Sequence, residues 1–537
     1  MRKTNSPKKK TSVTVVHSLQ EYEDRQISGS LEEVDAIIEE ALGGTEDLSV
    51  RKFLIFGQHR AIMYGFSHMV NHVMINEAIM RPLMQPPYHL QGRSIPVEEL
   101  ADVLLQETLY HDDVSKENNV AALLRALLGG ESVIVVEGLG EALLVGSRNI
   151  DKRGIEQPAT EQVIRGPREG FIESLDTNLS LIRYRLQSAE LRVEMRDIGR
   201  RTKSKVAVCY MEGITDPKLV EELDRRLDQI DIDGVLDSGY LEQFIEDHKW
   251  SPFPQVQYTE RPDKIVANLL EGRLAIMVDG SPLALVVPTV FNQFYQTVED
   301  YTERFLLMSA IRLARLVALV FSLVFPSLYV AIISFNPELI PTEFAVAVAG
   351  GRAGVPFPAV VEVLIMEVSM EVLREATIRL PQQVGGALSI VGVLVIGQAA
   401  VSAGFASPIT VVIIALTTIG SFATPAYNAA LALRLLRFPL IIMAGVFGLY
   451  GIMIGLIVIV NHLLSLKSFG VPYLSPFVPG DYNGLKDLLI RGPLGKMKRR
   501  PAFLNPQDTT KLAGTDDESG ESEKGLPPLE TTRPSPS

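Results

Sequence analysis

Four long apolar runs in the second half of the chain limit the folds that it can adopt. The runs cover residues 316–334, 387–405, 409–427 and 439–460. About 20 helical residues cross the roughly 30 Å hydrocarbon core of a bilayer, and each run approaches that length. One such run could be the core helix of a soluble protein, but four in succession predict a helical membrane domain.

Charged residues divide the chain into two unlike halves. They recur every few positions before residue 305 and nearly vanish between residues 316 and 466. Apolar side chains make up 47% of the chain and charged ones 21%, as expected of a soluble half joined to a membrane half. Lysine and arginine cluster before the first run and after the last, so both ends of the membrane half, and both termini, are predicted to be cytoplasmic. We therefore predict four crossings.

The soluble half contains an internal repeat. Segments 121–145 and 268–287 align without gaps when shifted, which places Gly130 over Gly272 and Gly138 over Gly280. In each copy a helix ends at the first glycine, and a β-branched run, an acid–glycine turn and a second apolar run follow, which is typical of a β-hairpin. A looser match between the regions after residues 61 and 206 adds a strand to each copy. We predict two related α/β subdomains.

The predicted fold class is an α/β cytoplasmic domain of two related subdomains followed by an all-α integral membrane domain. The predicted boundaries are a basic, disordered tail at 1–49, α/β subdomain 1 at 50–150, a basic linker and helix at 151–189, α/β subdomain 2 at 190–300, the helical membrane domain at 301–466, a cytoplasmic segment at 467–505 and a disordered tail at 506–537. Within the membrane domain, an acidic helix at 355–380 is predicted to be re-entrant or to lie in the membrane plane.

Several classes of function receive no support from the sequence. The net charge of −13 and the absence of a basic face interleaved with aromatic residues argue against nucleic-acid binding. The sequence has no phosphate loop, nucleophile elbow or HExxH motif, so no enzyme and no cofactor is predicted. His68 and His72 are spaced for one helix face, but no third ligand accompanies them, and no metal site is predicted.

The acidic helix carries the strongest candidates for a functional site. A charged side chain at hydrocarbon depth costs a few kcal/mol, so such groups normally face protein or water. We predict as ion-path candidates its four carboxylates, Glu362, Glu367, Glu371 and Glu375. The last three form one stripe that Arg374 and Arg379 could neutralise. Glu362 lies on the opposite face without a helical partner, and is either a pore or proton-relay group or the partner of an arginine on another helix.

A basic Gly/Pro turn at residues 165–170 leads into a predicted helix. Its side chains Arg165 and Arg168 suit an anion such as a carboxylate or phosphate, because the N-terminus of a helix attracts negative charge. The same residues would also suit a linker that docks the subdomains or neighbouring subunits. We therefore predict anion or interface contacts for Arg165 and Arg168.

Several long motifs resemble the A subunit of GerA-type spore germinant receptors. They are PFPQVQYTERPDK (252–264), LLEGRLAIMVDGSP (269–282), VPFPAVVEVLIMEVSMEVLREATIRLP (355–381), VGGALSIVGVLVIGQAAVSAGFASP (384–408), RLLRF (434–438) and SFGVPYLSPFVP (468–479). The resemblance extends over about residues 50–505. It implies a protein of the inner spore membrane that acts with a transporter-like B subunit and a lipoprotein C subunit.

The resemblance also implies a function. A subunits of this family are thought to form a ring that releases monovalent cations when the receptor senses a nutrient. The expected function is therefore a membrane-bound homo-oligomer that acts as a nutrient-gated cation channel in spore germination. Two alternatives stay open, namely an accessory paralogue of the channel that releases dipicolinic acid and a receptor scaffold that conducts no ions. The resemblance assigns no role to individual residues.

Overall fold

The protein consists of two antiparallel sheets followed by a bundle of helices. The computed structural model describes residues 19–85, 88, 95–149, 157–378, 395, 397–478, 480, 487–488 and 490–512. Each sheet has five strands. The predicted fold class, two related α/β subdomains followed by a helical domain, is confirmed.

The first sheet has the strand order β1-β2-β4-β5-β3. Its strands are β1 (Leu48–Ile55), β2 (His59–Phe66), β3 (Val114–Glu117), β4 (Ser132–Val136) and β5 (Ala142–Val145). The helices of this subdomain are α1 (Leu31–Leu42), α2 (His72–Met74), α3 (Arg81–Met84), α4 (Val97–Val103) and α5 (Val120–Gly129), with 3₁₀ turn Leu19–Tyr22 and π turns Ile75–Met80 and Leu104–Thr108. Helices cover both faces of the sheet, which explains why β4 is a continuous apolar run buried on both sides.

The second sheet repeats the first, with the strand order β6-β7-β9-β10-β8. Its strands are β6 (Leu191–Ile198), β7 (Ser204–Met211), β8 (Gln257–Thr259), β9 (Leu274–Val278) and β10 (Ala284–Val287). Its helices are α6 (Leu175–Arg185), α7 (Pro217–Asp228), α8 (Ser238–Ile245) and α9 (Pro262–Leu269). Gly130 and Gly272 both adopt the left-handed conformation, with φ of 92° and 97°. This agreement supports the predicted duplication.

The repeat begins earlier than the sequence predicted. The N-terminal helix α1 precedes the first sheet as α6 precedes the second, and both pack into the core of their own sheet. Residues 19–49, predicted as part of a disordered tail, contribute the buried side chains of Leu31, Val34 and Ile38. Likewise α6 belongs to subdomain 2, although the sequence placed it in a linker. The sequence comparison did not detect these helices as part of the repeat, because only the later strands of the two copies align visibly in sequence.

One buried ion pair joins the two subdomains. Arg183 of α6 donates from Nε and Nη2 to the two carboxylate oxygens of Asp47, at 2.8 Å each. Its guanidinium also lies 4.4 Å from the ring centroid of Phe66 in β2. Both charged side chains are almost fully buried, so the bidentate geometry compensates for the loss of water.

Six helices of the membrane half are described from end to end. They are α10 (Glu299–Thr302), α11 (Phe305–Phe335), α12 (Thr342–Arg352), α13 (Ala359–Ile378), α14 (Pro408–Ser421) and α15 (Tyr427–Ser465), with 3₁₀ turns Phe291–Phe294, Pro337–Leu339, Leu494–Lys496 and Ala502–Leu504. Among the described residues, two helices, α11 and α15, are long and apolar enough to cross a membrane. The predicted span at 387–405 lies mostly outside the described residues. The predicted span at 409–427 is interrupted, because α14 ends at Ser421.

Helix α15 reverses its direction at Gly448. This residue has φ 61° and ψ −141°, a conformation that suits glycine because it has no Cβ. A Cβ added to Gly455 would lie 2.5 Å from Cδ1 of Leu440, whereas a straight helix would separate these residues by about 22 Å. Two antiparallel arms result, the outgoing arm (427–447) and the returning arm (449–465). The predicted single span at 439–460 is therefore wrong, since it contains the reversal.

Neighbouring helices of the bundle run antiparallel. Helix α13 contacts the outgoing arm through Val360 with Gly445 and through Glu367 with Arg437. Residue numbers increase along one helix as they decrease along the other, so the two helices are antiparallel. Along α14 the hydroxyl of Thr410 donates to that of Tyr329 in α11 at 3.0 Å. Helix α13 thus lies side by side with an arm that is apolar enough to span a membrane.

Both ends of the membrane half contact subdomain 2. Near the start of α11, Arg315 donates to the carbonyl of Tyr295 at 2.6 Å. At the end of the returning arm, the ring of His462 lies 2.9 Å from the hydroxyl of Ser251. The short hairpin of β11 (Lys467–Ser468) and β12 (Val471–Pro472) then docks on the same subdomain, where Ser468 donates to the carbonyl of Gln255.

A C-terminal strap, residues 490–512, returns along subdomain 2. The amides of Gln507 and Asp508 donate to the carbonyls of Ile214 and Gly213, at 2.9 and 3.1 Å. Residues 506–512 were predicted as part of a disordered tail, but these backbone hydrogen bonds hold them against the sheet. The rest of that predicted tail, residues 513–537, lies outside the described residues.

Candidate functional site

Helix α13 carries all four predicted ion-path carboxylates. It begins after Pro358, whose carbonyl accepts from the amides of Val361 and Glu362 at 3.0 and 3.1 Å. A proline suits this position because its fixed φ matches a helix start. From there α13 runs for 20 residues between the outgoing arm and α14. The structure places the four carboxylates in three different environments.

Glu367 forms a buried ion pair with Arg437 of the outgoing arm. Nη1 of Arg437 lies 3.0 and 2.8 Å from the two carboxylate oxygens. The two side chains are 6% and 3% exposed, so neither charge is shared with solvent. The sequence prediction offered a partner for Glu367 on its own helix, but it did not identify Arg437.

Glu371 lies one turn further along the same face. Arg374 donates to it at 2.7 Å, as the spacing of three residues predicted. Arg434 of the outgoing arm lies 3.8 Å away and is itself buried. The arginines at positions 434 and 437 of the outgoing arm therefore align with the carboxylates of α13. These charges fasten α13 to the outgoing arm.

Glu362 is fully buried at the other end of α13. It accepts from the backbone amide of Ser407 at 2.5 Å, and its second oxygen lies 3.4 Å from Nε of Arg352 in α12. The proximity of Arg352 is compatible with one of the two roles left open for Glu362, the partner of an arginine on another helix, and both roles stay predictions. The contact holds the end of α12 and the start of α14 on α13.

An exposed stripe runs along the remaining face of α13. Its apolar members are Val361, Ile365, Val368 and Val372, which are between 37% and 64% exposed. The stripe continues at its last turn into the exposed side chain of Glu375. Because the carboxylates of Glu362 and Glu367 bind α13 to its own subunit, the stripe is held facing outward. Branched apolar residues followed by a carboxylate are the features that α13 offers to lipid, to another chain or to ions.

A second charged cluster lies where subdomain 2 meets α11. Asp300 is fully buried and binds both Arg312 and Arg315, while Nη1 of Arg312 also lies 3.1 Å from Asp487. Burial raises the pKa of Asp487, which the hydrogen bond from Tyr301 and the charge of Arg312 oppose. This network connects the first apolar helix both to the sheet and to the chain that follows the returning arm.

One of the two arginines of the basic turn lies at this junction. Arg165 is 3.3 Å from Glu303, just before α11, and its side chain is largely exposed. Arg168 is exposed as well. The geometry thus places Arg165 in a contact between the soluble and membrane halves of one chain. Their predicted role in anion binding or at an interface stays a prediction.

The histidine pair of the first subdomain does not come together as a site. Nδ1 of His68 lies 3.0 Å from Asp176, and Nε2 of His72 lies 3.0 Å from the carbonyl of Ser67. Burial lowers the pKa of His68, an effect that the charge of Asp176 opposes. Within the described parts of the chain, no three histidine, cysteine or acidic side chains are grouped to hold a metal.

Glu242 in α8 is a carboxyl that titrates near neutrality. Burial raises its pKa from 4.5 to about 7, helped by the negative charges of Glu246 and Asp237. An acid with a raised folded-state pKa stabilises the fold at low pH, and this contribution is lost as the pH rises through about 7. We expect Glu242→Gln to raise the midpoint of thermal unfolding of the full chain by about 2–4 °C at pH 8 and to change it little at pH 5.

The matched control for this prediction is Glu221→Gln on the neighbouring helix α7, where the carboxylate is exposed. It should leave both melting curves unchanged. An equal gain at both pH values for Glu242→Gln would show that packing, rather than ionisation, is responsible.

Comparison with known proteins identifies the family. A family model described as Bacillus/Clostridium GerA spore germination protein matches residues 36–503. The chain belongs to this GerA family. Spore germination protein KA of Bacillus subtilis is 44% identical over 485 residues, which cover 90% of this chain and 88% of that protein. The uncharacterized membrane protein YfkQ of the same organism is 40% identical over 515 residues, covering 96% and 99%.

A solved structure matches the soluble half of this GerA-family chain. It is the crystal structure of the N-terminal domain of the A subunit of the Bacillus megaterium spore germinant receptor GerK3, with 33% identity, a TM-score of 0.38, and coverage of 50% of this chain and 98% of that one. The resemblance to A subunits of germinant receptors, stated from the motifs, is confirmed by the family and its members. The family model and protein KA are described as spore germination proteins, which is not an enzyme class.

Proposed function

We propose that this GerA-family chain is a subunit of a nutrient-gated cation channel of the spore membrane. The observation that supports the proposal most directly is the exposed stripe of α13, which ends at Glu375. The stripe lies on the outside of one chain, so a path bounded by it requires several copies. A ring of such subunits would place a constriction of branched apolar side chains next to a ring of carboxylates.

This arrangement has the two properties that a gated cation path requires. Rings of carboxylates favour cations in channels, and hydrophobic constrictions close a pore by expelling water. The ion pairs of Glu362 and Glu367 would act as fasteners that keep the stripe in place, while Glu371 lies at its edge with 39% of its side chain exposed. Of the four predicted ion-path residues, Glu375 and Glu371 are the ones we place beside the path.

The proposal includes a topology. Helix α13 lies antiparallel to the outgoing arm, so we propose that it crosses the membrane instead of lying in its plane. The start of α11 and the end of the returning arm both contact subdomain 2. An even number of crossings with both ends on the cytoplasmic side fits this contact. A transporter-like B subunit and a lipoprotein C subunit would complete the receptor.

We expect Glu375→Gln to lower the cation conductance of the reconstituted receptor about three- to tenfold at low ionic strength. The decrease should shrink at high salt, because salt screens the carboxylate ring. The measurement is single-channel current in planar bilayers. The control is Glu343→Gln in α12, which removes an exposed carboxylate away from the stripe. Unchanged conductance in Glu375→Gln would contradict a role for this residue in the path.

A second substitution tests whether the stripe faces ions or lipid. Val372→Thr keeps nearly the same volume but adds a hydroxyl, so a closed apolar constriction would admit water and leak without nutrient. A stripe that faces lipid would show no leak. The same bilayers also separate the two alternatives, since an anion-selective reversal potential favours the dipicolinate-release paralogue, and assembly without current favours a scaffold.

A further inference from the structure

A cavity of about 850 Å³ lies at the junction of the soluble and membrane halves. One wall is formed by α9 and the start of β9 in subdomain 2, a second by the residues just before α11, and a third by the C-terminal strap. The cavity is thus bounded by three parts of the chain that are far apart in sequence. Neither the carboxylates of α13 nor the exposed stripe belongs to it.

A buried arginine lines the cavity without a full set of partners. Arg273 is 2% exposed, and its Nη1 donates to the carbonyl of Pro288. Its Nε has no hydrogen-bond partner in the described chain, and the nearest carboxylate oxygen, of Glu271, is 3.9 Å away. Burial lowers the pKa of Arg273 to about 10, because its charge is poorly compensated. An N–H group of this kind normally has an acceptor, since leaving it without one costs about 1–3 kcal/mol.

The strap adds three cationic side chains to the same lining. Lys496, Lys498 and Arg499 are exposed and lie within four residues of each other. Over the described residues, no carboxylate lies within ion-pair distance of these three side chains. Together with Arg273 they make four positive charges with little compensation around one cavity.

The acidic side chains of the lining compensate these cations only in part, and Glu271, at 3.9 Å from Nε of Arg273, is the one that lies near any of them. Each is already engaged by another basic residue: Asp263 with Arg261 at 2.8 Å, Asp487 with Arg312 at 3.1 Å, and Glu271 with Lys511 at 3.2 Å. The positive potential inside the cavity is therefore that of the four cations named above. A cavity with this potential attracts an anionic ligand.

We propose that this cavity binds a phosphate-bearing anion. At neutral pH a phosphate group carries one negative charge as a diester and up to two as a monoester, and its free oxygens can accept from the strap cations while its charge offsets that of the buried Arg273. Two sources carry this chemistry. An anionic phospholipid headgroup could enter from the membrane surface, because Tyr301 and Thr302 line the cavity immediately before α11. A soluble phosphate compound could enter from the cytoplasmic side.

The bound anion would add a second connection between the strap and the base of α11, where Arg491 already donates to the carbonyl of Glu303 at 2.7 Å. Without it, the strap is held to subdomain 2 by its backbone hydrogen bonds and by the contact of Phe503 with Arg273, at 5.7 Å. With it, the strap, the sheet and the chain leading into the membrane would share one charged ligand. Binding should therefore raise the thermal stability of the full chain.

Titration calorimetry on the full chain in neutral detergent tests the proposal with three probes: inorganic phosphate, dihexanoyl phosphatidylglycerol and dihexanoyl phosphatidylcholine. We expect the phosphatidylglycerol, inorganic phosphate or both to bind, and the zwitterionic lipid to bind at least tenfold more weakly. Binding of the phosphatidylglycerol alone identifies a lipid headgroup, and binding of inorganic phosphate at comparable strength identifies a soluble ligand. No binding of either anionic probe would overturn the proposal.

Two variants decide whether this cavity is responsible. Lys498→Gln combined with Arg499→Gln removes two exposed charges from the strap and should weaken binding about tenfold without loss of folding. Arg201→Gln combined with Lys218→Gln removes two exposed charges from subdomain 2 outside the cavity and should change nothing. Equal weakening by both pairs, or none by either, would overturn the assignment to the cavity.

Discussion

Arg437→Met is expected to destabilise the membrane half by about 3–5 kcal/mol, because it leaves the carboxylate of Glu367 buried without a counter-charge. The two side chains are 3% and 6% exposed, so water cannot replace the lost partner. Helix α13 would lose its main polar attachment to the outgoing arm. The measurement is the midpoint of thermal unfolding of the full chain in detergent, together with the yield of folded protein from membranes.

The double variant Glu367→Leu with Arg437→Met gives the decisive control. Removing both charges leaves apolar groups of similar size, so most of the lost stability should return. Arg304→Met, at an exposed arginine before α11, controls for the general effect of the substitution. If the double variant is as unstable as Arg437→Met alone, packing rather than an uncompensated charge determines the stability of this contact.

Gly451→Ala is expected to separate the arms of α15 and to destabilise the bundle by about 3 kcal/mol. A Cβ at this position would overlap the carbonyl oxygen of Met443, which belongs to the backbone and cannot rotate away. Gly451 and Gly455 are four residues apart, the spacing by which small residues allow two helices in a membrane to approach closely. Cysteine pairs across the arms would report their separation as a loss of disulfide cross-linking.

Gly350→Ala is the matched control for the hairpin. This glycine lies in α12, and among the described residues no atom outside its own stretch of helix lies within 4 Å of a Cβ built on it. An alanine there should be neutral or slightly stabilising, because glycine costs helices about 0.5–1 kcal/mol. A tolerated Gly451→Ala with intact cross-linking would contradict the close approach of the arms.

The soluble half was predictable because its repeat places glycines at the same turns in both copies. Gly138 and Gly280 have φ of 82° and 89°, and the two glycines that end the helices also have positive φ. Because this conformation favours glycine, these positions carry the same residue in both copies while the surrounding side chains differ. Helix α1 was not predicted, and helix α6 was predicted but placed in a linker, because their amphipathic faces can be built from many apolar residues and show no repeat.

The candidate site was half predictable. Four acidic residues on one apolar helix are visible in the sequence, and the pairing of Glu371 with Arg374 follows from helical spacing. The partners that lie on other helices, Arg352 and Arg437, follow only from the packing of the bundle. One signal was available, since two arginines in an apolar run require carboxylates on a neighbouring helix, and α13 has carboxylates at a similar spacing.

Subdomain 2 holds the chain both where it leaves for the membrane half and where it returns. Arg315 anchors the base of α11 and His462 anchors the end of the returning arm, and the strap then fixes the chain a third time. A tilt of the sheet would therefore move both helices at once, because each is attached to subdomain 2. A ligand that shifts subdomain 2 is therefore expected to move both helices together, through these two attachments.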